Sequence, residues 1–448
     1  MRRLFSKMGN QNQKGSSNAS LNVSPKELNA IEKILQKSDK IEENDLHKSW
    51  RTHLTDPLMN SYVQFIFHIN HKNSSSVSLK TVAVLLSELE RGSRDQQAAS
   101  LHTILKSKDT ATLTDMKQYL SELVLSCFKI LEQKPNGPYQ KWKNLSSKSS
   151  NVDVSFFVDY LCQDLKCEGD TITEENIFHW LAQCQLVHLL HSFVILHLYG
   201  LYQSKESSGQ MMSPLLPKLK SAPSNDSVSS VLSPPDVLFL NQLLPAEFQR
   251  EWRLLFSSNS HGESYSILLK NIIDQGPTII VVQDNDGHIF GGFAADSWRL
   301  GPKFYGDSSC FLFTLNPKCV LCRATGYNEH FMYINYNQNT LPNGLGMGGQ
   351  FDYWGLWIDS EFGVGACSNT CTTFDNYSSP SKDKNFQIAN LEVWGVGIPP
   401  PTAAERGERT LGSGRSIMDS DPAATYILEV AGKTRHSDGL RDKPDDEG

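Results

Sequence analysis

The sequence predicts an α+β protein, in which an all-α half precedes a β-sandwich with flanking helices and a C-terminal helix. Two observations support this prediction. From Ser24 to about Gln203, apolar residues recur at the spacing of amphipathic helices, whereas from Leu243 to Gly397 the period falls toward two, as in strands. The apolar content of 39% is that of an ordinary globular chain.

Composition limits the classes of function. With 448 residues, the chain is long enough for two or three domains that each bury a core. Lys and Arg number 42 and Asp and Glu number 49, and the net charge of −7 disfavours nucleic acid as the main partner. Nine cysteines is a sparse, odd count and no secretory signal is visible, so we expect reduced thiols and a cytoplasmic protein.

Residues 1–23 are predicted to be a flexible, basic N-terminus, which would be attracted to an anionic membrane surface. If translation starts at Met8, Gly9 resembles a myristoylation site, although Gln13 stands where that motif has Ser or Thr. If translation starts at Met1, Gly9 is internal and the segment is only a polar tail. One acyl chain with a few basic residues would attach the protein reversibly.

Residues 24–203 are predicted to form an all-α, EF-hand-like domain. Two segments in it have a helix–loop–helix pattern, with Leu113 and Ile172 as the central apolar residues of the two loops. In that alignment the twelfth loop positions are Lys117 and Asn176, where calcium needs a bidentate Glu. We therefore expect a helical scaffold without calcium ligands.

The most apolar stretch, residues 184–200, has the composition of a membrane span but carries three histidines, His188, His191 and His197. Three imidazoles in one span favour a helix that is buried between domains and whose histidines find partners or water. His188 and His191 have the spacing of two metal ligands, yet no third ligand is evident, so this is a weak metal signal.

The β-rich half follows a segment, residues 204–235, whose Ser, Pro and Lys content predicts a flexible linker. Asp284-Asn-Asp-Gly287 joins two apolar runs and predicts a tight hairpin. Residues 264–273 are the stretch of this half that indicates a helix. The predicted strands are 278–282, 288–293, 310–315, 320–324, 331–336, 353–359 and 388–396.

Residues 399–448 are predicted to be a polar tail with one short amphipathic helix, 422–431. Pro422 stands at its first position, and its apolar face includes Ile427 and Val430. A helix of this kind either docks on its own protein or lies in the groove of a partner, and both interpretations stay open. In the second case Ile427 and Val430 are partner-binding residues.

Motifs of catalysis are missing from the sequence. Gly344–Gly349 is rich in glycine, but a phosphate-binding loop opens a helix, and a strand is predicted to follow here. These glycines are therefore predicted to shape a loop with positive φ angles. Because no catalytic constellation is recognised, we expect no enzymatic activity and no cofactor.

Cysteines provide the strongest metal hypothesis and the alternative function. Cys319, Cys322, Cys367 and Cys371 have spacings that would suit a four-cysteine zinc site. On a strand, however, residues three apart point to opposite faces, and no glycine forms a knuckle, so we predict no metal site. The alternative is a thiol-dependent protein of oxidative-stress protection, which would use Cys367, Cys371 or another thiol.

The β-rich half resembles the TLDc domain over residues 236–398. The resemblance rests on several blocks that occur in family order, Trp252–Gly262, Gly291–Ala294, Phe304–Gly306, Gly326–Asn328, Gly346–Gln350, Trp354–Asp359, Cys371–Asp375 and Leu391–Trp394. It implies a β-sandwich and a binding role without established enzymatic activity. TLDc proteins are associated with oxidative-stress resistance and with the vacuolar proton-pumping ATPase.

The helical first half and the tail around Arg435–Arg441 are similar to a lysosome-associated member of the family that is tied to mTOR signalling. The resemblance therefore implies an adaptor on the cytosolic face of lysosomal membranes, with the proton pump and mTOR signalling components as partners. Its expected contact residues are those of the glycine-rich segment, Asn343, Gly344, Gly346, Gly348, Gly349 and Gln350.

Overall fold

The computed structural model describes residues 22–69, 75–106, 110–147, 152–202, 214–220 and 229–401, which form two compact units. The first, here called the helical unit, comprises the described residues up to Ile130 together with those from Asp164 onward to residue 202. The second, here called the β unit, comprises Leu131–Gln163 and the described residues from 214 to 401. The predicted α+β class, with a helical first half and a TLDc region rich in antiparallel sheet, is confirmed.

The helical unit consists of short helices, several of which begin at a polar cap. Glu27, for example, accepts hydrogen bonds from the amide and hydroxyl of Ser24 and so fixes the start of the first helix. The helices are α1 (Pro25–Leu35), α2 (Glu43–Trp50), α3 (Asp56–Ile69), α4 (Leu79–Val82), a π-helical turn (Leu86–Glu90), α5 (Arg94–Leu105), α6 (Leu113–Glu132, which continues into the β unit), α9 (Glu174–Gln183) and α10 (Gln185–Leu198).

An EF-hand-like pair lies in this unit. Strand β1 (Ala111–Thr112) pairs antiparallel with β2 (Thr171–Ile172), as the two loops of paired EF-hands do, and Ala111 lies opposite Ile172. The central residue of the second loop is thus Ile172, as predicted, but that of the first is Ala111 and not Leu113. Leu113 is instead the first residue of α6.

The same pattern occurs a second time, where the sequence did not reveal it. Ile41, between α1 and α2, forms an antiparallel bridge with Val77, between α3 and α4, through N–H···O bonds of 2.9 and 2.8 Å. The helix after each of these residues begins with a polar cap, as it does in the first pair. The described residues of the helical unit therefore contain two bridged pairs of such loops.

The apolar helix α10 is mostly buried within the helical unit. Among the described residues, no single helix has the length and apolarity to cross a membrane, although α9 and α10, bent by 95° at their junction, satisfy both criteria when taken together. Two of the three histidines of α10 have hydrogen-bond partners within the unit. His191 Nε2 lies 2.7 Å from the hydroxyl of Tyr119, and His197 Nδ1 lies 2.7 Å from the carbonyl oxygen of Phe193.

The β unit contains a sheet of twelve strands in the order β7-β10-β11-β12-β13-β14-β5-β6-β8-β9, with β4 beside β14 and β3 beside β4. The strands are β3 (Lys218–Leu219), β4 (Glu251–Ser257), β5 (Thr278–Asp284), β6 (Ile289–Ala294), β7 (Gly301–Tyr305), β8 (Phe311–Asn316), β9 (Val320–Cys322), β10 (Met332–Asn335), β11 (Gly344–Gln350), β12 (Tyr353–Asp359), β13 (Val364–Ala366) and β14 (Asn385–Val396).

Strand β14 joins the two halves of this sheet, because its first residues pair with β13 and its later residues pair with β5 and β4. The halves enclose a common core, in which Ile280 and Phe290 of one half belong to the same cluster as Leu345 and Ile358 of the other. The helices of this unit are α7 (Pro138–Leu145), α8 (Ser155–Cys162), α11 (Pro234–Leu243), α12 (Ser258–His261) and α13 (Tyr265–Ile272), with a 3-10 turn at Ala246–Phe248.

Helices α7 and α8 lie in the β unit, although the sequence placed them in the predicted helical domain. Trp142 of α7 is fully buried there. Its ring lies 5.0 Å from that of Trp394 and 5.6 Å from that of Trp252. The indole of Trp142 also donates a 3.0 Å hydrogen bond to the Pro217 carbonyl. Burial of this large side chain accounts for the position of α7 in the β unit.

The segment predicted as a linker, residues 204–235, differs from that prediction where the structure describes it. Lys218–Leu219 is strand β3, and α11 begins at Pro234. The carboxylate of Glu392 is almost fully buried and accepts 2.7 Å hydrogen bonds from the Ser230 hydroxyl and the Val231 amide. A buried carboxylate needs such donors, and they hold residues 229–235 against β14.

Candidate functional site

The sequence directed attention to the glycine-rich segment. The expectation of a loop there is wrong, although Gly348 and Gly349 have the predicted positive φ angles. Gly344–Gln350 is strand β11, which pairs with β10 on one side and β12 on the other. The glycines are required by close packing. A Cβ atom on Gly346 would lie 2.5 Å from ring atoms of Trp354, and one on Gly344 would lie 2.3 Å from Trp357. The glycine positions of this strand thus pack directly against the rings of two tryptophans.

Aromatic side chains cover this face of strand β11. The rings of Trp354 and Trp357 stack with a centroid distance of 4.4 Å, and Tyr333, Phe304 and Phe351 complete the cluster, each within 5.3 to 5.7 Å of Trp354. Tyr333, Trp354 and Trp357 are at most 7% exposed. The cluster is therefore a small second core that stiffens the β11–β12 hairpin.

This geometry limits which of the predicted contact residues a partner can reach. Gly344, Gly346, Gly348 and Gly349 are buried in the strand, whereas Gln350 is exposed and Asn343 is half-buried. The side chain of Asn343 accepts from the amide of Gln338 at 2.9 Å and donates to its carbonyl at 2.8 Å, so it closes the turn before β11. Of the six residues, Gln350 is the one with an exposed side chain.

Exposed aromatic residues surround the tip of the β11–β12 hairpin. Tyr353, which is 60% exposed, lies opposite Gln350, and the ammonium of Lys384 lies 5.8 Å from the centre of its ring. Among the described residues, Tyr327, which precedes Asn328, has the most exposed large hydrophobic side chain, at 86%. We call Tyr327, Gln350, Tyr353 and Lys384 the hairpin-tip surface.

Hydrogen bonds anchor the Tyr327 loop to the end of β11. The amide of Gly349 donates to the Thr373 hydroxyl at 2.8 Å, and that hydroxyl donates to the side-chain oxygen of Asn328 at 2.7 Å. Exposed aromatic residues are therefore presented from a rigid base. Sequence reasoning missed Tyr327 and Tyr353, because an alternating pattern does not tell an exposed aromatic residue from a buried one.

Cys319, Cys322, Cys367 and Cys371, whose spacing raised the hypothesis of a zinc site, do not bring their sulfur atoms together as such a site requires. Among the described residues, the one group of three metal-ligating side chains with ligand atoms within 4.8 Å is Asp284, Asp286 and His288. The carboxylate of Asp284 is already engaged there, since it accepts from the His288 amide at 2.8 Å and from the Ser381 hydroxyl at 2.7 Å. The bond from the His288 amide lies within the predicted β5–β6 hairpin, and the bond from Ser381 ties the segment before β14 to it.

Thiol chemistry is disfavoured at the cysteines whose pKa is shifted. Burial raises the pKa of Cys310 to about 11 and that of Cys322 to about 12. Burial also raises the pKa of Cys367 and of Cys371, the two thiols named for the redox alternative. A reactive cysteine needs a thiolate at neutral pH, and these environments favour the neutral thiol.

The remaining predicted sites have different outcomes. Burial lowers the pKa of His191 to about 3, so this imidazole stays neutral beside Tyr119, while His188 is exposed. Gly9, Ile427 and Val430 lie outside the described residues, as do the N-terminal segment and the tail helix that contain them.

Comparison with known proteins defines the class. Residues 225–397 match the family model described as the TLDc domain. A relative named MTOR-associated protein MEAK7 from Homo sapiens is 33% identical over 390 residues, which cover 84% of this chain and 82% of the relative. The protein of the same name from Xenopus laevis is 35% identical over 387 residues, or 82% of this chain and 81% of the relative.

A more distant relative matches a smaller share of the chain. Nuclear receptor coactivator 7 from Homo sapiens is 34% identical over 179 residues, which are 38% of this chain and 18% of that protein. The similarity to the first two relatives extends over the helical half as well. The chain therefore belongs to the MTOR-associated protein MEAK7 family of TLDc-domain proteins.

Proposed function

We propose that this protein is a non-enzymatic adaptor that acts in mTOR signalling at the lysosomal membrane and binds the vacuolar proton-pumping ATPase. The observation that carries the proposal is the similarity to proteins named MTOR-associated protein MEAK7 over more than four-fifths of both chains. The implied association of TLDc domains with the proton pump supplies the partner. Peripheral attachment would come from the basic N-terminus, with a lipid on Gly9 if translation starts at Met8.

The hairpin-tip surface is the proposed contact of the β unit. Tyrosines supply large contact area with few rotatable bonds, and they are enriched among the residues that dominate binding energy. Tyr327 and Tyr353 have this character, and the buried aromatic cluster beneath them holds the hairpin in one conformation. Little ordering entropy would then oppose binding.

A pull-down from lysosome-enriched membranes tests the proposal. The full chain, the double variant Tyr327→Ala with Tyr353→Ala, and a chain that ends at Gly412 serve as baits. Ile267→Ala is the matched control, because Ile267 is an exposed apolar residue on α13. We expect the full chain and Ile267→Ala to recover pump subunits and the double variant to recover several-fold less.

The outcomes separate the parts of the proposal. Loss of the pump only on truncation would assign binding to the tail and reject the hairpin-tip surface. Absence of pump subunits from every bait would reject the pump as partner. If mTOR components were recovered in that case, the signalling role would stand without the pump.

A further inference from the structure

A cavity of about 400 Å³ opens in the β unit. It lies between the N-terminal ends of α8 and α11 and the turns that join β5 to β6 and β8 to β9. Its volume falls within the range of about 300 to 1,000 Å³ that is typical of small-ligand sites. None of the described residues that line it belongs to the hairpin-tip surface, and the proposed adaptor role assigns it no purpose.

Apolar side chains make up much of the wall. Phe157 and Phe239 are buried, with ring centroids 6.1 Å apart in an edge-on arrangement, and Pro234 and Pro235 line the same cavity. Phe156 also lines it but is 39% exposed, so this ring lies at the mouth. The wall therefore suits a ligand with an aromatic body, because aromatic rings pack favourably on the edges and faces of other rings.

The charged side chains of the wall already have partners. The carboxylate of Asp153 accepts a 2.9 Å hydrogen bond from the first amide of α8, and that of Asp236 accepts one of 2.8 Å from the Ser233 amide. The Lys143 ammonium lies 3.0 Å from the carboxylate of Glu132. The described part of the wall therefore offers a charged ligand no unpaired counter-ion, and burial of an ion without one is costly.

Two uncharged side chains of the wall each keep one open hydrogen-bonding atom. The side-chain oxygen of Gln283 accepts from Asn390 at 2.7 Å, which leaves its amide nitrogen as a donor. The side-chain nitrogen of Asn316 donates to the Gly287 carbonyl at 2.7 Å, which leaves its oxygen as an acceptor. In the described part of the chain, neither open atom has a protein partner. Both residues pair with Ile289, one on either side, so their side chains share one face of the sheet.

We propose that this cavity binds a small neutral aromatic alcohol, of the phenol or phenylalkanol class. The aromatic body occupies the space between Phe157, Phe239 and the two prolines, and the hydroxyl bonds to the open amide atoms of Gln283 and Asn316. A hydroxyl both donates and accepts, so it matches an open donor and an open acceptor, whereas an ammonium only donates and a carboxylate only accepts. A neutral group also avoids the cost of an unpaired buried ion.

Four probes of similar size test the proposal on the full-length protein, by ligand-observed NMR titration. They are 2-phenylethanol, ethylbenzene, which lacks the hydroxyl, and the two ions 2-phenylethylammonium and phenylacetate. We expect saturable binding of the alcohol and binding of ethylbenzene that is weaker by about two- to tenfold, the factor that one neutral hydrogen bond provides. Both ions should bind at least about tenfold more weakly than the alcohol, because neither finds a free counter-ion.

Variants locate the binding to the cavity. Phe156→Ala should weaken the alcohol by about two- to tenfold through loss of a ring contact, whereas Ile267→Ala, which removes an apolar side chain of the same 39% exposure from α13, should not. Gln283→Met should weaken the alcohol but not ethylbenzene. Where circular dichroism shows that one of these variants does not fold, Phe156→Leu or Gln283→Leu replaces it.

Several results would overturn the proposal. They are no saturation by the alcohol up to about 10 mM, an ion or ethylbenzene that binds as tightly as the alcohol, and unchanged affinity for the alcohol in the Phe156 or Gln283 variants.

Discussion

At the scale of single residues, Gly346 shows why the sequence did not predict strand β11. Glycine has no side chain to contribute to an alternating pattern, so the four glycines within Gly344–Gln350 suggested a loop. The structure shows a strand whose glycines admit Trp354 and Trp357. The tryptophans themselves lay in a predicted strand, but which strand they would cover depends on pairing between segments, which local pattern does not specify.

The close approach at Gly346 leads to a stability prediction. Gly346→Ala forces a methyl group to within 2.5 Å of the Trp354 ring and should lower the free energy of unfolding by about 1–3 kcal/mol, as overpacking does. Gly301→Ala, where a Cβ meets no atom within 4 Å, should change it by less than about 0.5 kcal/mol. Urea unfolding measures both, and equal effects would argue against the packing role of Gly346.

Glu27 gives a pH-dependent prediction. Arg91 donates to its carboxylate, with one N–H···O distance of 3.0 Å, and this bond lowers the pKa of Glu27 from 4.5 to about 2. The pair therefore stabilises the fold fully above about pH 4.5, and the stabilisation is lost as the pH falls toward 2.

We expect Glu27→Gln to cost about 0.5–1 kcal/mol at about pH 6, the value of a partly exposed ion pair, and less at about pH 2.5. Urea unfolding at the two pH values gives the comparison. Glu32→Gln on the same helix is the control and should show no such change. A cost for Glu27→Gln that stays constant with pH would contradict the assignment.

At the scale of elements, the EF-hand-like pairs show how far pattern reading extends. The second loop was aligned correctly on Ile172, because this isoleucine is a large apolar residue between polar neighbours. In the first loop the small Ala111 takes the equivalent position, and the larger Leu113 drew the alignment two residues too far. The pair at Ile41 and Val77 went unnoticed, since a single bridged residue leaves no periodic signal.

The corrected register still predicts no calcium binding. With Ala111 as the eighth residue, the first, third and fifth positions are Ile104, Lys106 and Lys108, which supply no carboxylate. The twelfth position is Asp115, whose carboxylate caps α6 by accepting from the Thr112 amide at 3.0 Å. Calorimetric titration with calcium to about 1 mM should give no saturable heat. Saturable binding in the micromolar range would contradict this interpretation.

Helix α7 provides a prediction about an element whose position the sequence did not indicate. Trp142→Ala removes the indole that contacts Trp252 and Trp394 and should cost about 3–5 kcal/mol, as large core truncations do. Lys141→Ala, an exposed change on the same helix, should cost less than about 0.5 kcal/mol. Thermal and urea unfolding compare the two variants.

Hydrogen exchange locates the effect. In Trp142→Ala, amides of β4 and β14 should exchange faster, because these strands carry Trp252 and Trp394. Those of α3, in the helical unit, should keep their protection. Faster exchange in α3 with unchanged β4 and β14 would contradict the assignment of α7 to the β unit.

At the scale of the whole molecule, the sequence predicted the fold class and most strands of the β unit, because periodicity and turn residues are local signals. It did not predict that residues 131–163 belong with residues far along the chain. That information lies in individual long-range contacts, such as the bond from Trp142 to the Pro217 carbonyl and the bridge between Ser146 and Ser230.

The discontinuity of the β unit has a consequence for biosynthesis. Trp142 leaves the ribosome roughly 250 residues before Trp394, against which it is finally buried. At synthesis rates on the order of ten residues per second, this indole waits about half a minute for its neighbour. Until β14 emerges, the apolar face of the amphipathic helix α7 lacks the strand that finally covers it, and during this interval the growing chain depends most on chaperones.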